Sequence, residues 1–175
     1  LDASSSWSKF CQGSISDVVK SAPSRKVVLD DITKTLGNHM DKAAFYEHCH
    51  SLGLCYEDAF QLVKQAWYVD DECVVEVHLP EAITDADTDY LLHPVLLDGA
   101  FQGLFPTVQK GYLPVKIGAF HYYQKPGAKF YCHLLTDYKD EHEIVGRLTL
   151  FNTDGEILIE IDAIELKARQ PQAAG

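Results

Sequence analysis

Within the segment from Tyr90 to Gln102, Tyr-Leu-Leu-His-Pro-Val-Leu-Leu-Asp-Gly-Ala-Phe-Gln, an acid and an amide stand four residues apart. On a helix, Asp98 and Gln102 would share one face. Pro94 suits the first turn of that helix, where its missing N–H has no partner to lose. The segment is otherwise apolar, so the Asp98 carboxyl is expected to be partly desolvated. Desolvation raises a carboxyl pKa, and an acid that holds its proton near neutral pH can work as a general acid. The structural alternative is an acid near a helix start that complements the helix dipole.

A helix this apolar needs cover on most of its sides. It is expected to run from about Pro94 to Phe105, with Pro106 helping to stop it. Before it, residues 27–36 read as a short helix with Asp30 or Asp31 near its start. Asp41 is placed to cap a helix from Lys42 to Leu52 that Gly53 ends. Ala44, Phe45, Cys49 and Leu52 of that helix follow the helical period. Strands are expected at 60–68, 73–79, 115–123, 130–136, 143–151 and 156–167. Residues 81–90, with Asp85, Asp87 and Asp89, read as an acidic loop. Asn152-Thr153-Asp154-Gly155 is a strong hairpin signal between the last two strands. In the final strand Ile157, Ile159, Ile161 and Ala163 are expected to face one way, and Glu156, Leu158, Glu160 and Asp162 the other. The fold class is α+β: a long antiparallel sheet curved around one apolar helix, the hotdog arrangement. Residues 1–25 read as a linker or the remnant of a preceding unit, 26–167 as the domain, and 168–175 as a flexible tail.

At 175 residues the chain suits one domain or one and a half, and 46% hydrophobic residues can build a core. The net charge of -11, from 26 acids against 15 Lys and Arg, argues against nucleic-acid binding. No apolar run is long enough to span a membrane, and no signal peptide is visible. The opening Leu-Asp-Ala-Ser has no Met, so the chain reads as part of something longer. The five cysteines are odd in number and include no Cys-x-x-Cys, so reduced thiols in the cytoplasm are expected. His48, Cys49, His50 and Cys55 could be drawn as a metal site. Helical spacing sends Cys49 and His50 to different faces, and no metal is expected.

His93-Pro94-x-x-Leu97-Asp98-x-x-x-Gln102 resembles the second active-site motif of polyketide synthase dehydratase domains. Tyr56-Glu57-Asp58-Ala59-Phe60-Gln61 is similar to the family's Tyr-Gly-Pro-x-Phe-Gln segment, with Glu57 and Asp58 in place of Gly and Pro. Leu113-Pro114 followed by Ile117-Gly118 resembles the family's Leu-Pro segment, and Trp7 and Gly13 resemble the last strand of its first half. The resemblance implies half of a double hotdog, the C-terminal one. The family's His-x-x-x-Gly-x-x-x-x-Pro motif, which carries its catalytic His, is absent. His142-Glu-Ile-Val-Gly146 imitates its start, but Phe151 stands where the Pro should be.

The implied reaction is a hydro-lyase step: a 3-hydroxyacyl thioester, carried on the phosphopantetheine of an acyl carrier protein, loses water. Asp98 would be the acid, Gln102 would hold it, and Tyr56, His93, Pro94 and Leu97 would line the pocket. The base would be a His outside this chain. No cofactor bound by the chain itself is implied. The implied partners are the carrier protein, neighbouring synthase domains, and the missing first half or a second copy. Lys125, Lys129 and Arg147 are the basic candidates for carrier docking. Alternatives are a double-bond isomerase, a ring-forming relative, a non-catalytic docking module, or a dimeric hotdog thioesterase. Substrate length and stereochemistry are not legible.

Overall fold

The computed structural model describes residues 9–16, 20–80 and 90–169. Among these residues three α-helices, α1 (Leu29–Thr35), α2 (Lys42–Ser51) and α3 (Pro94–Gln102), accompany eight strands. The strands are β1 (Asn38–Asp41), β2 (Val63–Val69), β3 (Glu72–His78), β4 (Tyr112–Ile117), β5 (Phe120–Tyr122), β6 (Lys129–Lys139), β7 (Glu143–Phe151) and β8 (Ile157–Ala168). They form one antiparallel sheet in the order β1-β2-β3-β6-β7-β8-β4, with β5 also pairing β8. Among the described residues no helix is long and apolar enough to cross a membrane.

Cross-strand register explains the core. Val75 pairs with Cys132, Cys132 with Leu150, and Leu150 with Ile159. In the next row Cys73 pairs with Leu134, Leu134 with Leu148, and Leu148 with Ile161. All of these side chains are buried in one cluster. Such rows of apolar pairs are what stabilise a sheet with one covered face. The opposite face has a smaller cluster. There Val74, Tyr131 and Phe151 are buried under Leu36, with Leu29 and Ile32 of α1 packed against them. Tyr131 and Phe151 stack with ring centroids 5.5 Å apart.

Two glycines set the depth of α3. A Cβ added at Gly99 would lie 2.9 Å from Leu62 Cδ1 and 3.3 Å from Val77 Cγ1. One added at Gly103 would lie 3.1 Å from Val75 Cγ2. Residues four apart share a helix face, so the missing side chains let α3 sit close against β3. That approach carries the Asp98–Gln102 face into the core.

Several boundaries differ from the sequence reading. Residues 58–60 form a single 3₁₀ turn, and β2 begins only at Val63. The helix α3 stops at Gln102, and Phe105–Thr107 makes a separate 3₁₀ turn. The strand expected at 115–123 starts at Tyr112 and breaks at Gly118-Ala119. The short β1, pairing with β2, was not foreseen. In β8 the simple alternation fails. Gly146 opposes Ile164 and Leu148 opposes Ile161, so Asp162 and Ala163 together face Arg147 alone. This bulge brings Ile164 and Leu166, rather than Ala163, into the core. Leu158 is buried as well.

The hairpin turn forms as expected, with Gly155 at φ 78°. Its carbonyl accepts from Val27 N at 2.8 Å, which ties the segment entering α1 to the β7–β8 turn. Gly13 lies in a segment without helix or strand. Trp7, the acidic loop residues 81–89 and the tail residues 170–175 lie outside the described residues.

Filling the contact at Gly99 should lift α3 from the sheet. Gly99→Val is expected to lower the thermal unfolding midpoint by roughly 3–10 °C, since overpacking commonly costs about 1–3 kcal/mol. Circular dichroism melts check this, and an unchanged midpoint would mean that α3 does not rest on β3 through this residue.

Candidate active site

Asp41 caps α2 by accepting from Ala44 N at 2.9 Å, and the buried Phe45 and Cys49 anchor that helix in the core. His48 Nε2 lies 2.9 Å from Phe105 O and 3.1 Å from Val108 O, fixing α2 to the turn after α3. At the head of α3, His93 Nδ1 accepts from Val95 N at 3.2 Å, and Pro94 takes the first turn. Tyr90 packs edge-on to the His93 ring at 5.2 Å. A His93 that accepts at Nδ1 carries its proton on Nε2 when neutral, which makes it a cap and a donor rather than a base.

One turn further on, Gln102 Nε2 donates to Asp98 Oδ2 at 2.8 Å. Gln102 is fully buried, with 0% exposure, and all its polar groups are engaged. Its second N–H donates to Phe60 O at 3.0 Å, and its Oε1 accepts from the Tyr46 hydroxyl at 2.8 Å. The Tyr46 oxygen in turn accepts from Val63 N at 2.9 Å. Asp98 itself is half-buried. Burial raises its pKa above the ordinary carboxylate value, and the Gln102 bond only partly offsets the rise. Because Oδ2 receives the amide N–H, the acid proton belongs on Oδ1. The arrangement is that of an oriented, partly desolvated acid.

Tyr56 stands beside this acid. Its ring lies 6.0 Å from Tyr46 and 6.1 Å from Phe105. Burial raises the phenol pKa, and the nearby Asp98 charge raises it further. Gln61 Nε2 closes the loop onto Tyr56 O at 3.0 Å. Glu57 and Asp58 are exposed, and the turn they form needs no positive φ. Burial, not these two charges, raises Asp98. Leu97 packs at the edge of the core, and Pro94 is exposed.

The sequence reading therefore placed Asp98, Gln102 and Tyr56 in a region that the structure does bring together. It missed Tyr46, along with the Phe60 carbonyl and the Val63 N–H. The available signal was a phenol at the edge of the apolar stripe of α2, since a buried tyrosine hydroxyl usually needs a partner. The basic docking candidates fare differently. Lys129 is paired with Glu76 at 2.9 Å and lies over the Tyr131 ring, and Arg147 is paired with Asp137 at 2.9 Å. His142 sits in the exposed β6–β7 turn.

Residues 25–175 match the family model described as polyketide synthase dehydratase N-terminal domain. The chain belongs to the polyketide synthase dehydratase family. Among relatives, 61 residues are 38% identical to the spectinabilin polyketide synthase system protein NorA' of Streptomyces orinoci, covering 35% of this chain and 2% of that protein. A longer match of 148 residues is 27% identical to a phenolphthiocerol/phthiocerol polyketide synthase of Mycobacterium tuberculosis, covering 78% of this chain and 8% of that one. The dehydratase domain from the CurK module of the curacin polyketide synthase superposes with a TM-score of 0.73 at 28% identity. That match covers 88% of this chain and 56% of the solved domain. The chain thus spans a small part of its curated relatives and about half of the solved domain. Two further CurK dehydratase structures are described as inactive mutants, one with a His replaced by Phe and one with an Asp replaced by Asn.

The folded chain binds the Asp98 proton more tightly than an unfolded one would. That contribution to stability is present in acid and is lost as pH rises through the raised value. Asp98→Asn has no such titration. Its urea-unfolding stability relative to the parent should improve as pH rises from acid towards neutrality. Glu76 and Asp140 titrate in the opposite sense. Burial alone would raise Glu76, but bonds from Lys129, Gln65 and His78 bring it down, while Asp140 is held at about 2 by Tyr138 and the N–H groups of Glu143 and His142. Parent and variant share both groups, so the difference isolates Asp98. A difference that stays flat with pH would mean that Asp98 is not desolvated.

Proposed function

We propose that the chain supplies the acid half of a dehydratase site acting on a 3-hydroxyacyl thioester carried by acyl carrier protein. The observation that carries this reading is the 2.8 Å bond from a fully buried Gln102 to Asp98. The raised pKa of Asp98 supports it, as does the family to which the chain belongs. In the proposed step a base removes the proton alpha to the thioester, and that electron pair forms the new carbon–carbon double bond. The C3–O bond breaks, and Asp98 Oδ1 protonates the departing hydroxide to give water. The proton held by the base then restores Asp98. Tyr56, His93, Pro94 and Leu97 would border the acyl chain.

The base is assigned to a His outside this chain. The family's His motif is absent from the sequence. His48 and His93 are held by backbone groups, and His39, His78, His121 and His133 by Gln65, Glu76, Asp162 and Glu72. We assign the chain to the second hotdog of a double hotdog because its Asp-x-x-x-Gln helix resembles that half's motif. The share of the solved CurK domain that it spans is compatible with this. The matching family description names the N-terminal domain and points against this assignment.

The test is a mass-spectrometric assay on a 3-hydroxyacyl pantetheine thioester, with and without a segment bearing the His motif. Loss of water is expected only when that segment is present. Asp98→Asn should slow it roughly 10²- to 10⁴-fold, the usual worth of a positioned acid. Turnover by this chain alone would place the base within it and overturn the split-site reading. No turnover under any condition would leave an isomerase or a non-catalytic docking module.

A further inference from the structure

We infer that Tyr46 is a positioning residue of this site, fixing which end of the Gln102 amide faces Asp98. The inference rests on reading Asp98 as the acid. A glutamine amide can be turned end for end with little change in shape, and only its partners decide between the two orientations. Here two backbone groups of fixed polarity make the decision. Val63 N–H can only donate, and it donates to the Tyr46 oxygen at 2.9 Å. The phenol has one proton to pass on. Gln102 Oε1 receives it at 2.8 Å, while the alternative acceptor, Phe60 O, lies 3.5 Å away. The Phe60 carbonyl can only accept, and Gln102 Nε2 stands 3.0 Å from it. With Oε1 committed to Tyr46 and one N–H to Phe60, the remaining N–H points to Asp98 Oδ2.

The reversed amide would set Oε1 against the Phe60 carbonyl oxygen and against any negative charge on Asp98. Inside a buried site such acceptor–acceptor contacts go uncompensated. Tyr46 therefore acts at a distance on the reacting carboxyl. It keeps Oδ2 an acceptor and so leaves the proton to Oδ1. Without the hydroxyl, Val63 N–H loses its acceptor and the amide loses one of its anchors. Among the described residues, titratable neighbours of this relay are Tyr46 and Cys49 on α2 and Tyr56 on the following loop, and burial raises all three.

The test uses Tyr46→Phe in the whole chain, with NMR of the Gln102 side-chain amide and of the Asp98 carboxyl. In the parent, the Gln102 amide protons should exchange slowly with solvent. In the variant they should exchange faster, and the Asp98 midpoint should move up, because a donor to the charged form is partly lost. Adding Tyr46→Phe to Gln102→Ala should move that midpoint no further than Gln102→Ala alone. A purely structural Tyr46 would lower stability without moving Asp98. An unchanged midpoint in folded Tyr46→Phe, or additive shifts in the double variant, would overturn the inference. If Tyr46→Phe does not fold, the parent decides by itself, since Gln102 protons that exchange as fast as an exposed amide would overturn it too. None of these readings uses substrate. A chain that shows the coupling yet removes no water would keep Tyr46's role and lose only the dehydration.

Discussion

A glutamine side chain with no access to water must satisfy its donors and its acceptor from the protein around it. Gln102 is in that position, and much of the local structure follows from how it is satisfied. Gly99 and Gly103 let α3 settle against β3 closely enough to bury the amide. The turn before β2 supplies Phe60 O, α2 supplies the Tyr46 hydroxyl, and α3 itself supplies Asp98. Two neighbouring elements and the distant α3 are thereby locked at one point. The sheet serves as the rigid floor, held by rows of paired apolar residues from β3 to β8.

The acid is shaped by two opposed effects. Desolvation penalises the charged carboxylate, while the Gln102 N–H favours it, and desolvation is the larger. An acid in this balance keeps its proton more readily than an exposed one, yet has one oxygen already assigned. The cost is a group that prefers to be neutral inside a folded protein, a common conflict between stability and activity. For the proposed dehydration that conflict would be useful, because the leaving hydroxide needs a proton.

Much of this could be read from the sequence where local rules govern. The Asp41 cap, Pro94 at the start of α3, the Asp98–Gln102 spacing and the Asn152–Gly155 turn each depend on residues within a few positions of one another. What the sequence hid depends on distant partners. Asp162-Ala163 looks like ordinary alternation until β7 is laid beside it and Arg147 is found to face both. Phe60 looks like the start of a strand, but its carbonyl is needed by Gln102 and its segment turns instead. Tyr46 is separated from Gln102 by 56 residues, so no spacing rule could join them. Lys129 and Arg147 looked available because their acidic partners, Glu76 and Asp137, are brought to them only by the folded strands and turns.

The central claim is that Asp98 is an oriented acid kept from easy ionisation by burial. The most direct measurement is a pH titration of its side-chain carboxyl carbon by NMR in the intact chain. A midpoint above the ordinary aspartate value is expected. A midpoint at or below the ordinary value would mean that Gln102 holds a carboxylate rather than an acid, and the account of this site would fail.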